Sequence, residues 1–312
     1  MPDTLTPHRP GLAIALKLSA VALLTCMFAM VKAATAEVPP GEAVFFRSLF
    51  AIPVILLWLV KRGELRSGLV THNIRGHFLR GALGTAAMGL NFGAVSILPL
   101  PEVTAIGYAM PIFTLILSAL MLGERIRLIR ISAVVLGLVG VLIMLWPRIA
   151  GGGPSEEGAT LGAMLALGSA LMGAMVQIHI RQLVQTEHPA AVVFYFSVSA
   201  SLLALLTVPF GWVMPSGEML ALLVGAGLIG GVGQALMTSS YRYGPASMLA
   251  SYDYSSMIFA IILGYFWFSE LPTLVMLSGA ALVILGNVVV ILRERQLGIE
   301  RQRARAAGQP KT

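Results

Sequence analysis

Charge is what this 312-residue chain has least of: 21 Lys and Arg and 14 Asp and Glu make up only 11% of it. Soluble domains carry about 25%, so too little polar surface exists to hold a chain of this size in water. The single cysteine, Cys26, excludes a disulfide framework and any multi-thiolate metal site. A phosphate-cradling Gly-rich motif followed by Lys-Ser/Thr is absent, as are His-Glu-x-x-His and Gly-x-Ser-x-Gly. ATP-driven chemistry, metal chemistry and enzymatic catalysis therefore have no visible constellation, and no cofactor is expected.

What is there is hydrophobic: 57% of the residues, with 33 Gly and 16 Met suited to close helix packing in lipid. Segments near 11–31, 43–60, 78–98, 103–122, 129–146, 158–180, 190–210, 219–240, 246–268 and 272–292 read as membrane spans. Stretches 81–101, 103–123, 158–180, 219–241 and 271–292 contain no charged residue at all. One helix of about 20 apolar residues crosses a bilayer with its backbone groups bonded internally. Pro39-Pro40-Gly41, Lys61-Arg62-Gly63, Pro99-Leu100-Pro101, Gly151-Gly152-Gly153-Pro154 and Leu271-Pro272 punctuate the pattern. The longest internal connection, 61–77, is expected to carry a short surface helix.

The formal charge of +7 reports topology rather than nucleic acid. With both termini cytoplasmic, 17 of the 21 basic residues fall on one side, including Lys61, Arg62, Arg66, Arg75, Arg80, Arg125, Arg127 and Arg130. The opposite connections carry mainly Glu37, Glu42, Glu102, Glu156, Glu157, Glu218 and Glu270. The arginine-rich tail, 293–312, reads as a cytoplasmic end near anionic lipid. It has no interleaved aromatics to stack bases, so no nucleic-acid partner is expected.

Shifted by 146 residues, Ser132–Gly140 resembles Ser278–Gly286, and Gly81, Gly84, Tyr108, Phe113 and Glu124 fall on Gly227, Gly230, Tyr254, Phe259 and Glu270. A repeat of five spans is odd, so its second copy crosses the bilayer upside down. Glu124 precedes a basic cluster and Glu270 does not, in keeping with that inversion. The expected fold is all-α integral membrane, ten transmembrane helices built as two inverted five-helix repeats. Residues 1–150 form the first repeat, 151–292 the second, and 293–312 the tail. Inverted repeats commonly alternate between two openings around a central site.

Asp253 interrupts an otherwise uncharged stretch, and a carboxylate in lipid costs about 2.5–3.5 kcal/mol on insertion scales. Substrate contact, proton coupling and a structural hydrogen bond are all open to it. Tyr252 and Tyr254 flank Asp253 and point to other sides of its helix, so one of the two is a candidate to line the central cavity with Tyr108, with interhelical packing as the alternative. Asn91, Gln177 and Gln234 are buried polar candidates, equally explained by interhelical hydrogen bonds. His179 makes a weaker candidate for a proton relay. Arg47 either binds an anion, snorkels or pairs with Glu42, and Lys17 has the same ambiguity. Pro111, one turn after Gly107, is expected to kink its span. Gly89/Gly93 and Gly227/Gly231 are pairs that let helices approach.

The duplicated units and the blocks Phe46-Arg47-Ser48, Pro111 and Leu122-Gly123-Glu124 resemble the drug/metabolite transporter superfamily, specifically its EamA group. The resemblance implies a multi-pass carrier of the bacterial inner membrane, both termini cytoplasmic, for a small organic metabolite. Phe45-Phe46-Arg47-Ser48 is similar to bacterial S-adenosylmethionine and riboflavin carriers, and riboflavin uptake is the narrow expectation. S-adenosylmethionine, amino-acid or other metabolite transport, including efflux, is the alternative, and a non-transporting structural membrane protein is the other. Proton coupling and a homodimeric assembly stay open.

Overall fold

The computed structural model describes residues 10–122, 135–143, 146, 157–183, 186–243, 249–286, 288–289 and 292. The basic tail, Glu124 with its arginines, and the Gly151–Pro154 cluster lie outside these residues. The described elements are helical: α1 (Pro10–Ala34), α2 (Pro40–Arg62), α3 (Ile74–Ile97), α4 (Leu100–Gly107), α5 (Met110–Leu122), α6 (135–143), α7 (Glu157–Leu183), α8 (Pro189–Leu205), α9 (Gly217–Tyr243), α10 (Ser255–Phe268) and α11 (Leu274–Gly286). Short 3-10 turns occupy Val208–Phe210 and Ala250–Tyr254. Among the described residues, four segments are long and apolar enough to cross a membrane: Gly11–Ala34, Pro40–Arg62, Gly158–Ile180 and Gly217–Met237.

Burial is arranged as lipid requires. Leu57, Phe78, Met164, Leu202, Phe266 and Leu274 are exposed, whereas Lys17, Glu42 and Arg47 are buried. A soluble protein does the reverse. The chain therefore places these three ionisable groups inside the bundle rather than against lipid.

Helix α1 lies along α9, α3 along α7, and α2 between α8 and α9. Met30 meets Gly225, Met27 meets Gly230 and Leu24 meets Gly233, so α1 and α9 are antiparallel. Glycine is required at Gly227, where a Cβ would lie 2.5 Å from the Phe50 Cβ, and at Gly231, 2.9 Å from the Val54 Cβ. Both admit α2. Gly93 receives Leu165, while Gly89 has nothing near it, so only part of the paired-glycine expectation describes a close approach.

Two expected spans are broken. The span expected at 103–122 is α4 and α5, separated by Tyr108–Ala109 one turn before Pro111, whose ring nitrogen has no proton for a helix bond. The span expected at 246–268 is a 3-10 turn followed by α10. The expected surface helix in 61–77 is absent. Gly63 ends α2 in the left-handed region at φ 67°, and residues 64–73 are turn and extended chain up to the Asn73 cap of α3.

Candidate functional site

About 10 Å into α1, at 1.5 Å per residue, the Lys17 ammonium lies 2.7 Å from the Asp253 carboxylate. Lys17 also reaches the Met237 sulfur on α9 at 3.0 Å. The pair is asymmetric: the Lys17 side chain is 1% exposed and that of Asp253 47%. A half-open carboxylate among spanning helices cannot face hydrocarbon cheaply, so its free side opens on water or a polar ligand. Asp253 sits in the 3-10 turn, not mid-helix as its sequence suggested, and Ser256 Oγ donates to its carbonyl at 2.7 Å.

The tyrosines stitch two broken helices together. The Tyr108 hydroxyl is 3.1 Å from the Tyr254 carbonyl and 2.8 Å from Ser256 Oγ, and it accepts the Met257 N–H at 3.0 Å. The two rings meet edge to face, centroids 5.2 Å apart. Under the 146-residue shift Met257 stands where the first half has Pro111. Proline has no N–H to satisfy, and in the second half the Tyr108 hydroxyl satisfies it. Tyr252 is half-buried in the same turn, its carbonyl accepting Ser255 Oγ at 2.6 Å.

Arg47 and Arg80 form a second charged locus. Arg47 is 3% exposed, with its Nε 3.4 Å from the Met27 sulfur. Both guanidiniums face the Phe196 ring of α8, at 5.9 Å and 4.1 Å from its centroid. The pairing with Glu42, one of the three alternatives open to Arg47, is not formed. Glu42 instead accepts the Val213 N–H at 3.2 Å, because its place in the first turn of α2 brings it beside the loop entering α9. Arg80 does not belong with the loop arginines either; it lies in α3 against the bundle interior.

The helix ends carry two further carboxylate junctions. At one, Glu270 pairs with Lys32 at 2.8 Å and accepts the Leu100 N–H, while Lys32 donates to the Leu98 and Val95 carbonyls closing α3. At the other, the buried Glu187 accepts the His72 N–H at 2.9 Å and meets His77 at 3.4 Å. Burial raises the Glu187 pKa, but these hydrogen bonds outweigh it and hold the carboxyl below its ordinary value. His179 contacts the Gly76 carbonyl at 2.9 Å, which ties α7 to α3.

The EamA-like transporter model matches this sequence twice, over residues 11–146 and 160–292. The chain belongs to the EamA-like transporter family. It is accordingly a multi-pass membrane protein and a secondary carrier of a small molecule, not an enzyme. Relatives of this EamA-like chain include the pseudopaline exporter CntI of Pseudomonas aeruginosa (strain UCBPP-PA14), 28% identical over 85% of this chain and 90% of the relative. The S-adenosylmethionine uptake transporter of Rickettsia prowazekii is 28% identical over 82% and 84%. The riboflavin transporter of Vibrio cholerae is 26% identical over 79% and 81%. A solved crystal structure has the same fold, with a TM-score of 0.64 and 22% identity over 93% of this chain and 99% of that one.

The structure brings Lys17, Asp253, Tyr108, Tyr252 and Tyr254 of this EamA-like chain to one region, and sets Arg47 apart with Arg80. Asn91 on α3, Gln177 on α7 and Gln234 on α9 are all part-buried. Sequence reasoning missed the Lys17–Asp253 pair, although two lone charges inside spans were its signal. It also missed Arg80, which fell within the expected span 78–98 and was the one arginine there. Nothing in the sequence pointed from Lys32 to Glu270.

Proposed function

We propose that the chain is an alternating-access carrier of the bacterial inner membrane. Ten spans form two inverted five-helix halves, residues 1–150 and 151–292, with both termini cytoplasmic and 293–312 as a basic tail. The double family match supports two halves. Inversion is supported by helix directions. Lys32, at the end of α1, meets Leu98 at the end of α3. His179, near the end of α7, meets Gly76 at the start of α3. Because α1 and α7 are corresponding first helices of the two halves, they run in opposite senses. The arginine and lysine bias supports the orientation.

The observation that carries the functional reading is the half-open Lys17–Asp253 pair. It joins α1 of the first half to the broken helix of the second, where a change of partner would be felt by both. Asp253 is the proposed coupling group, exchanging Lys17 for a proton or for a cationic substrate group. Of these relatives one is named for export, one for uptake and one for neither, so direction and cargo are open to assay. The cargo class we propose is a small polar metabolite, with S-adenosylmethionine, riboflavin and amino acids as probes.

Flux in proteoliposomes, with and without an imposed pH gradient, tests this. The expected result is saturable flux of at least one probe, accelerated by the gradient in the wild type and insensitive to it in Asp253→Asn. Absence of flux across a broad metabolite panel overturns the carrier assignment. Gradient-driven flux that survives Asp253→Asn overturns only the coupling role.

A further inference from the structure

Arg47 and Arg80 share one aromatic ring and lack a counter-charge. Among the described residues no carboxylate lies within ion-pair distance of either. The Nε and Nη1 atoms of Arg80 are buried without a hydrogen-bond partner, and Arg47 has only a thioether. The hydroxyls of Ser48, beside Arg47 on α2, and of Ser197, beside Phe196 on α8, are likewise buried and unpartnered. Room for the Arg80 guanidinium exists because residue 84 is glycine: a Cβ there would collide with Nη1.

Two like charges held near each other are unfavourable, and burying one, as Arg47 is buried, without a charged partner costs several kcal/mol. Arginine cannot shed its proton to escape that cost. An aromatic face offsets a fraction of it. Guanidinium groups with buried donors that no protein oxygen accepts are suited to receive an oxyanion, whose planar or tetrahedral oxygens match the fork. We infer that Arg47 and Arg80 bind the carboxylate or phosphate group of the transported solute, with Phe196 fixing the two guanidiniums. This inference rests on the carrier reading and narrows its cargo to organic anions and zwitterions. The Lys17–Asp253 pair is a separate polar group on α1 and the 3-10 turn, free to act on another part of the solute.

Thermal unfolding of the detergent-purified full chain, titrated with glutamate, citrate or glycerol 3-phosphate against sodium chloride of equal ionic strength, tests the site. The expected result is a saturable rise in Tm with at least one probe. Glutamate or citrate alone assigns a carboxylate ligand, and glycerol 3-phosphate alone assigns a phosphate. Arg80→Met and Arg47→Met should weaken apparent affinity at least tenfold while leaving the unliganded Tm unchanged or higher, since each removes an unpaired cation. Arg80→Lys, which keeps the charge but not the fork, should bind with intermediate affinity. No shift beyond chloride with any probe overturns the site, as does undiminished binding in both methionine variants. Flux separates the two levels: flux of the bound anion that is undiminished in Arg80→Met sinks the anion site and spares the carrier, whereas bound anions that are never transported, with no other solute transported either, sink the carrier.

Discussion

A lysine that is 1% exposed among membrane-spanning helices calls for a polar partner, and in this chain Asp253 lies 2.7 Å from it. Removing one partner of a fully buried pair costs about 3–5 kcal/mol. Here the carboxylate is half open, so Asp253→Asn should lose less, about 1–3 kcal/mol. Lys17→Met/Asp253→Asn together should regain much of that loss, because no orphan charge remains. A double-mutant cycle of thermal unfolding in detergent measures the coupling; additive losses would mean that the pair is not formed. Tyr108→Phe tests the junction between the broken helices. It leaves the Met257 N–H without its acceptor, and about 1–3 kcal/mol of stability should be lost in the same assay. A neutral outcome would mean that water or a shifted backbone takes the place of the hydroxyl. At this scale the sequence disclosed which residues were costly, Lys17, Arg47 and Asp253, but not their partners. Partnership depends on side chains 30 to over 200 positions apart meeting in space, as Arg47 with Arg80 and Lys17 with Asp253 do.

Among elements, apolar runs and Pro-Gly punctuation located most helices, because length and hydrophobicity suffice in lipid. The breaks at Tyr108–Ala109 and at 250–254 were less legible. Pro111 announced the first, whereas the second has no proline and rests on a hydroxyl from another helix. The short surface helix expected within 61–77 does not form, because the backbone there is satisfied from outside: Glu187 binds the His72 N–H and the Tyr195 hydroxyl donates to the Leu69 carbonyl. This latch has a pH signature. With its folded pKa below the ordinary carboxyl value of 4.5, Glu187 contributes stability that is fully present above about pH 4.5 and lost as pH falls through the folded pKa. Hydrogen exchange at residues 69–73, corrected for intrinsic rates, should be steady from pH 8 to 5 and accelerate below 4. In Glu187→Gln it should be about tenfold faster at neutral pH and lose that acid dependence. Acceleration of equal size in both proteins would assign the effect elsewhere.

At the scale of the whole molecule, the loop before α9 and the loop before α3 are each held by a carboxylate from the other matched segment. Glu42, in the first turn of α2, takes the Val213 N–H from the loop before α9. Glu187, just before α8, takes the His72 N–H from the loop before α3. The 23 residues of α2 separate these loops by about 34 Å, so each half closes one end of the bundle with a residue from the other. The 146-residue shift in the sequence runs parallel to the two segments that the family model matches, and the Tyr108–Tyr254 contact joins two positions related by that shift. The reciprocal latches were not readable, since Glu42 and Glu187 carry no local mark. Sided thiol labelling of His72→Cys and Val213→Cys, each in a Cys26→Ser background in membrane vesicles, tests the inverted arrangement most directly. An impermeant reagent should label residue 72 only from the cytoplasmic face and residue 213 only from the opposite face. Labelling of both from the same face would contradict it.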